Sequence, residues 1–519
     1  MNKTVLCIID GLGVNPSTHG NAWAAAGMPN LDAVIRDYPS TTLVASGTRV
    51  GLANPDDAGN SEIGHNAIGA GQVIKQGLSL LNDQFKSGEI FQSATWKKLV
   101  DNAKKDGRKL NIITLLSDGR VHSDIKHLVR VIDQCKKQGV CVAIHALADG
   151  RDVATQSVTK YIGRLPILRD VPFAPTEGKV ILSTLAGRAV SLMDRYESNI
   201  QAMITGFELM VNGVSPSIGE IGNRPLEQII KAEYTKTPTM TDEALPPMIV
   251  DKNGLIRNGD SVLLLNYRGD RAVQTCRMFE SGTYLTPAQF SKIDKCFFAG
   301  ALQYDTELGL PKNYLCAPPV IQNGLTEWLC SHNVRQFTVT ETVKFGHMTY
   351  FFNGNRTLPF DKRLETWKEV KGQGKDFHKT PEMKAREITA AAIEAIKNNK
   401  YDFVKLNLAN PDMLGHTGNF DATVRALRVV DKCLGDLISA CRDSGATLVI
   451  TSDHGNAEEM LYADGSPKSA HTNHPVPFVV VSDNVRLRDG FDLTNIAATI
   501  CDLLGIEKSK HFAQSVVII

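Results

Sequence analysis

The run Thr447-Leu448-Val449-Ile450-Thr451 is apolar and β-branched, and it stops abruptly in Ser452-Asp453-His454-Gly455. A buried strand that ends in an aspartate and a histidine sets two metal-ligand side chains on the edge of a sheet, where open α/β folds bind ligands. One such end decides little. The pattern recurs near the N-terminus, where Val5-Leu6-Cys7-Ile8-Ile9 ends in Asp10-Gly11. It recurs again where Phe403-Val404-Lys405-Leu406-Asn407-Leu408 leads into Asn410-Pro411-Asp412. Three strand ends therefore each deliver a carboxylate, and two also deliver an imidazole, His454 and His416. Together they outline a metal site assembled from both ends of the chain.

Elsewhere short apolar runs alternate with stretches of helical period: Leu110 to Leu116, Val140 to Ala146, Val180 to Ser183 and Val262 to Asn266. Such alternation predicts βαβ units and a parallel-rich sheet, hence an α/β fold. At 519 residues the chain exceeds one core, so two or more domains are expected. The candidate ligands fall before residue 65 or after residue 410, while the middle contributes arginines. One domain is therefore expected inside another, with residues 77–317 inserted into a discontinuous metal-binding domain of residues 1–76 and 318–519. The seams are expected near Gln76 to Phe85 and at Pro318-Pro319, where two prolines interrupt regular structure.

Fifty-seven basic and 56 acidic residues leave a net charge of +1, which argues against nucleic acid and against a membrane surface as partner. Ten cysteines show no C-x-x-C spacing, and Met1-Asn2-Lys3-Thr4 runs straight into strand-like sequence. Reduced thiols and a cytoplasmic protein are the expectation. No apolar run approaches the roughly 20 residues of a spanning helix.

Asp412 and His416 lie four apart in Asn410-Pro411-Asp412-Met413-Leu414-Gly415-His416, so one turn-like segment can offer both to one ion. His471 follows in Ala470-His471-Thr472-Asn473-His474-Pro475, ahead of another apolar run. Mixed carboxylate and imidazole ligation suits Mn²⁺, Co²⁺ or Zn²⁺, or Mg²⁺ where nitrogens are fewer. The segment Ala58-Gly59-Asn60-Ser61-Glu62-Ile63-Gly64-His65 has two readings. Ser61 is the N-cap of a helix, or it is a nucleophile held at a helix N-terminus among glycines. Without a Gly-x-Ser-x-Gly elbow or a Ser-His-Asp relay, activation would need a metal, which Asp10 and Asp453 could hold.

The middle of the chain supplies Ser117-Asp118-Gly119-Arg120-Val121-His122, Asp149-Gly150-Arg151-Asp152, Gly187-Arg188, Asp194-Arg195 and Arg268-Gly269-Asp270-Arg271. Singly these are solvated charges. Together they read as a clamp for phosphate and carboxylate, which guanidinium binds bidentately. His122 is a loop residue or a proton-transfer group. Lys344 and His347, in Glu341-Thr342-Val343-Lys344-Phe345-Gly346-His347, read as surface residues unless their company places them in the site.

With these residues in view, the chain resembles, nearly end to end, the cofactor-independent (2,3-bisphosphoglycerate-independent) phosphoglycerate mutases. The resemblance is carried by Asp10-Gly11, Gly59-Asn60-Ser61-Glu62, His122, Arg151-Asp152, Arg268-x-x-Arg271, Glu341-Thr342-Val343-Lys344, Ser452-Asp453-His454-Gly455 and His471. Val343, where the bacterial form has glutamate, and a Gly187 to Arg195 spacing one residue longer are similar to the eukaryotic-type branch. His474 stands where the family usually has no histidine and is not assigned to metal.

The resemblance implies an alkaline-phosphatase-like domain carrying a second α/β domain that closes over the substrate. It implies that Asp412, His416 and His471 hold one Mn²⁺-like ion, and that Asp10, Ser61, Asp453 and His454 hold another, with Co²⁺ or Mg²⁺ as alternatives. It implies that His122, Arg151, Asp152, Arg188, Arg195, Arg268, Arg271 and Lys344 grip phosphoglycerate. The implied activity is interconversion of 3-phosphoglycerate and 2-phosphoglycerate through a phosphoserine at Ser61, by a monomer, with Asp152 preferred over His122 as proton carrier. Competing readings are a phosphatase or phosphopentomutase of the same superfamily, or a non-catalytic metal-binding protein. The last would be expected to have lost a ligand, and all seven are intact.

Overall fold

Parallel strands covered on both faces must be apolar on both faces, and the three runs that end in carboxylates meet that demand. In the computed structural model the strands Phe403–Leu408, Thr4–Ile9 and Thr447–Thr451 lie side by side, parallel, at the centre of a seven-stranded sheet. Their register runs from Thr4 opposite Phe403 and Thr447 to Ile9 opposite Leu408, so the chain leaves all three at one level. Across the sheet the order is Glu365–Val370, Gln336–Glu341, Phe403–Leu408, Thr4–Ile9, Thr447–Thr451, Val476–Val481 and Ser40–Leu43. The first five are mutually parallel, and the last two join antiparallel.

Alternation along Thr4–Ile9 divides the core. Val5, Cys7 and Ile9 pack under the helices Ala385–Lys397 and Phe420–Asp443. Leu6 and Ile8 face the helices Ser61–Ala70, Leu325–Ser331 and Ile496–Leu504. A short pair, Arg486–Leu487 with Val517–Ile518, gathers in the C-terminal residues.

By packing, the chain forms two compact units, residues 1–76 with 319–519 and residues 77–318. The second has its own core around an eight-stranded sheet. Its order is Tyr314–Cys316, Phe297–Leu302, Ser261–Leu264, Leu110–Leu116, Val142–Ala148, Val180–Gly187, Met248–Ile249 and Gly219–Glu220. Only the pairing of Val180–Gly187 with Met248–Ile249 is antiparallel. Three runs differ from the sequence reading. The strand placed at 140–146 is Val142–Ala148, the one placed at 180–183 continues to Gly187, and the one placed at 262–266 is Ser261–Leu264.

The described residues are 2–75, 77–105, 107–165, 179–194, 199–216, 218–222, 224–305, 308–317, 319, 321–372, 377–482 and 485–518. Gln76 and Pro318, expected at the seams, and Arg195, expected in the clamp, lie outside them. Among the described residues no helix is long and apolar enough to cross a membrane.

Candidate metal centre

Because the three central strands end in register, the segments that follow them fall together. Asp10 occupies the first position past its strand and Asp453 the second, and Asp412 sits in the first turn of the short helix Asn410–Gly415. The segment read as a turn is thus helical, and His416 follows its end. Gly11, at φ +74°, makes this junction possible: a Cβ there would lie 2.7 Å from Asp412 Cα.

Ser61 is not the N-cap of its helix. Asn60 takes that role, its side chain accepting from Ile63 N at 3.0 Å. With the cap supplied one residue earlier, Ser61 becomes the first helical residue and its hydroxyl is spent on the cluster instead. Ser61 Oγ donates toward Asp10 Oδ1 at 3.3 Å, lies 2.9 Å from His454 Nε2 and accepts from Lys344 Nζ. The helix rides close on the strand end, for a Cβ on Gly64 would stand 2.5 Å from Asp453 O.

Lys344, a surface residue by its local sequence and a site residue by the resemblance, is buried. Its Nζ donates to Asp10 Oδ1 at 2.8 Å and to Asp412 Oδ2 at 2.7 Å. Burial alone would push this ammonium down, but Asp10, Asp412 and Asp453 outweigh burial and hold it above its ordinary range. His454 is raised for the same reason, burial being overcome by the same three carboxylates. His471 goes the other way, pushed down to about 4 by burial and by the neighbouring His454.

The remaining imidazoles close the group. His416 Nε2 and His471 Nε2 stand 3.3 Å and 3.2 Å from Asp412 Oδ1, and His454 Nε2 stands 3.5 Å from Asp453 Oδ2. All seven residues proposed as ligands therefore meet in one cluster. Asp412, His454 and His471 offer ligand atoms within 4.8 Å of one another, and so do Asp10, His65 and Asp453. His65 was not singled out from the sequence.

Do these residues suit divalent ions? His416 Nδ1 lies 2.9 Å from Ser469 O and His471 Nδ1 lies 2.8 Å from Gly59 O. A carbonyl only accepts, so both Nδ1 atoms carry the hydrogen, and in the neutral rings both Nε2 atoms present lone pairs. Those two Nε2 atoms are 2.9 Å apart. Lone pairs aimed at one another and at a carboxylate need a cation between them, and backbone carbonyls behind ligating imidazoles are the usual support. Asp453 Oδ2 is buried and accepts no hydrogen bond. The donor set suits divalent metal ions.

Three further residues brace the cluster and were missed from sequence. Asn456 Nδ2 donates to Asp412 Oδ1 at 3.0 Å. Glu458, fully buried, accepts from Gly13 N and Asn456 N, each at 2.8 Å, and from the Thr472 hydroxyl beside His471. Asn407 donates to Asp10 Oδ2 at 2.7 Å. Their signal in the sequence is only a polar residue within an apolar run or beside a ligand.

In the second unit the clamp candidates follow the carboxyl ends of four neighbouring parallel strands. His122 follows Leu110–Leu116, Arg151 and Asp152 follow Val142–Ala148, Arg188 follows Val180–Gly187, and Arg268 and Arg271 follow Ser261–Leu264. His122 is buried and Arg151 and Arg268 are exposed. Arg271 Nη1 donates to Met193 O at 2.7 Å. Arg188 is buried, with Nη1 2.6 Å from Asp149 Oδ1 and also paired to Asp152 Oδ2. Asp149 Oδ1 accepts from Arg151 N and Asp152 N as well, at 3.3 Å and 3.2 Å, so one buried aspartate shapes the turn that carries both residues.

Residues 2–508 match the family described as the Metalloenzyme superfamily. A probable 2,3-bisphosphoglycerate-independent phosphoglycerate mutase of Leptospira interrogans is 35% identical, across 99% of this chain and 97% of its own length. The 2,3-bisphosphoglycerate-independent phosphoglycerate mutase of Trypanosoma brucei brucei is 34% identical, across 99% and 97%. Among solved structures, Leishmania mexicana phosphoglycerate mutase at low cobalt concentration superimposes with a TM-score of 0.74 at 34% identity, covering 100% of this chain and 98% of that one.

Proposed function

The chain belongs to the Metalloenzyme superfamily and, within it, to the 2,3-bisphosphoglycerate-independent phosphoglycerate mutases; it interconverts 3-phosphoglycerate and 2-phosphoglycerate, and we propose that it does so through Ser61. The observation that carries this reading is the surroundings of Ser61 Oγ: a hydroxyl on the first residue of a helix, touched by Lys344, His454 and Asp10.

In the first transfer Ser61 Oγ attacks the phosphorus of 3-phosphoglycerate. The bond from phosphorus to the substrate's C3 oxygen breaks, the hydroxyl proton leaves Ser61, and a proton returns to the departing oxygen. This yields phosphoserine and free glycerate. In the second transfer the glycerate 2-hydroxyl attacks the phosphoserine, gives up its proton and restores Ser61. The Lys344 ammonium, kept charged by its carboxylates, stabilises the oxygen anion at Ser61, and the positive end of the Ser61–Ala70 helix dipole favours the phosphoryl oxygens. Divalent ions held by Asp412, His416 and His471 and by Asp10, Ser61, Asp453 and His454 would lower the hydroxyl pKa and neutralise phosphoryl charge.

Arg151, Arg188, Arg195, Arg268 and Arg271 hold the carboxylate of glycerate between the two transfers, and Asp152 carries protons to and from its hydroxyls, with His122 as the other candidate. Mn²⁺ is the ion this reading assigns. The mixed carboxylate and imidazole set supports it, and Co²⁺, named for the Leishmania mexicana protein, is of the same class. A cytoplasmic monomer completes the reading, in keeping with ten free thiols.

The test is conversion of 3-phosphoglycerate to 2-phosphoglycerate without added bisphosphoglycerate, with labelled substrate quenched in acid. Label is expected on Ser61 and on nothing in Ser61→Ala. Mutase turnover in a folded Ser61→Ala protein would remove Ser61 as nucleophile.

A further inference from the structure

His65 lies one turn after Ser61 on the same helix and is fully buried. Its nitrogens stand close enough to Asp10 and Asp453 for one ion to touch all three. Its hydrogen bonds argue against that. His65 Nδ1 is 2.8 Å from Ser61 O, an acceptor only, so Nδ1 carries the hydrogen. His65 Nε2 is 3.1 Å from Asn407 Nδ2. The orientation of the Asn407 amide is fixed by its other contact, 2.7 Å from Nδ2 to Asp10 Oδ2, since the flipped amide would set two oxygens against each other. One amide hydrogen goes to Asp10 and the second to His65 Nε2, which leaves that nitrogen no lone pair for a metal.

We infer that His65 and Asn407 are a pair of positioning residues for the Asp10 and Asp453 half of the metal centre, and that His65 is not a ligand. Asn407 engages Asp10 Oδ2 and so turns Oδ1 toward Ser61 and Lys344. His65 ties the Ser61 carbonyl and stands 3.2 Å from Asp453 Oδ2. The chain Asp10, Asn407, His65, Ser61 thus sets a carboxylate and the nucleophile from one amide and one imidazole. His416 and His471 also carry the hydrogen on Nδ1 but aim Nε2 into the cluster; His65 is set apart by where its Nε2 goes.

The inference rests on the metal reading proposed above, and two measurements separate them. Metal-free protein is titrated with Zn²⁺ against a chelating dye, for the unmodified chain and for Asn407→Leu. Asn407→Leu is expected to weaken one of two sites by roughly 10–100-fold and leave the other unchanged, with the unfolding midpoint of the metal-free protein preserved. Equal weakening of both sites, or no weakening, would overturn the inference alone. Unmodified protein that takes up no Zn²⁺ would overturn the metal reading and this inference with it. Nitrogen-15 spectra of the histidine rings in the unmodified chain need no variant. His65 is expected to show hydrogen on Nδ1 and an accepting Nε2 both before and after Zn²⁺. A metal-bound shift at His65 Nε2, or hydrogen on that nitrogen, would overturn the assignment.

Discussion

The two sheets present opposite chemistry at equivalent places. Where the central strands of the first unit end, Asp10, Asp412 and Asp453 are buried with His454 and Lys344 packed among them. Where four parallel strands of the second unit end, the exits carry His122, Arg151, Arg188, Arg268 and Arg271, two of the arginines exposed. One edge is rich in carboxylates and the other in arginines. A parallel sheet fixes where side chains emerge, not their charge, so the same architecture carries buried carboxylates at one set of strand ends and arginines at the other. Phosphoglycerate has two anionic groups of different fate, a phosphoryl that moves and a carboxylate that stays, and this division suits them.

The largest effect should come from emptying the first edge. Exhaustive chelation is expected to abolish mutase turnover, and Mn²⁺ or Co²⁺ to restore it. Full activity in protein shown by metal analysis to hold no ion would end the proposed two-ion centre. The second edge breaks differently. Arg151→Ala should lower mutase turnover by orders of magnitude while slow release of inorganic phosphate persists, because every group around Ser61 is intact. Weaker binding alone lowers both outputs at limiting substrate, so their ratio at saturating substrate is the measurement. A ratio equal to that of the unmodified enzyme would refute the idea that Arg151 retains glycerate. A smaller effect is expected from Asp149→Asn, which keeps an acceptor for the two turn amides but removes the charge that orients Arg188. KM should rise about tenfold with kcat less affected, since about 1.4 kcal/mol of binding is a factor of 10. A fall in kcat alone would show that Asp149 acts on the chemistry instead.

What the sequence revealed follows the same comparison. Asp10 and Asp453 stand out because they end apolar runs, and the arginines because they follow runs too. Lys344 does not stand out by its own surroundings, and only the resemblance places it in the site, for its partner Asp10 lies 334 residues away and nothing near it in sequence signals burial. Of the two readings of Ser61, the cap reading fails because Asn60, one residue earlier, is a capping type as well, and only the backbone decides which accepts from Ile63 N. Asn407 and His65 are a polar residue in a strand and a histidine in a helix. Their role exists only once register has set Ile8 opposite Asn407 and brought Asp10 alongside.

The smallest effect tests whether the cation demand belongs to the strand ends or to the whole sheet face. Lys405 lies two residues before Asn407 and so on the same face, fully buried, with Nζ 3.6 Å from the Phe352 ring centre and no hydrogen-bond partner. Burial pushes it down to about 7 against the pull of Glu365, whereas Lys344 among three carboxylates is raised. A lysine whose folded pKa lies below its unfolded value of about 10.4 binds fewer protons folded than unfolded between the two, so stability rises with pH across that window. Below about 7 both states are protonated and the full penalty remains. Lys405→Met, close in volume, should therefore raise the urea midpoint of the first unit at pH 6.5. The advantage should shrink by up to about 1.4 kcal/mol per pH unit toward pH 9, other titrating groups cancelling in the difference between the two proteins. Midpoints that differ by the same amount at every pH would mean that Lys405 is charged in the fold, and that the sheet face itself, not only its strand ends, accommodates a cation.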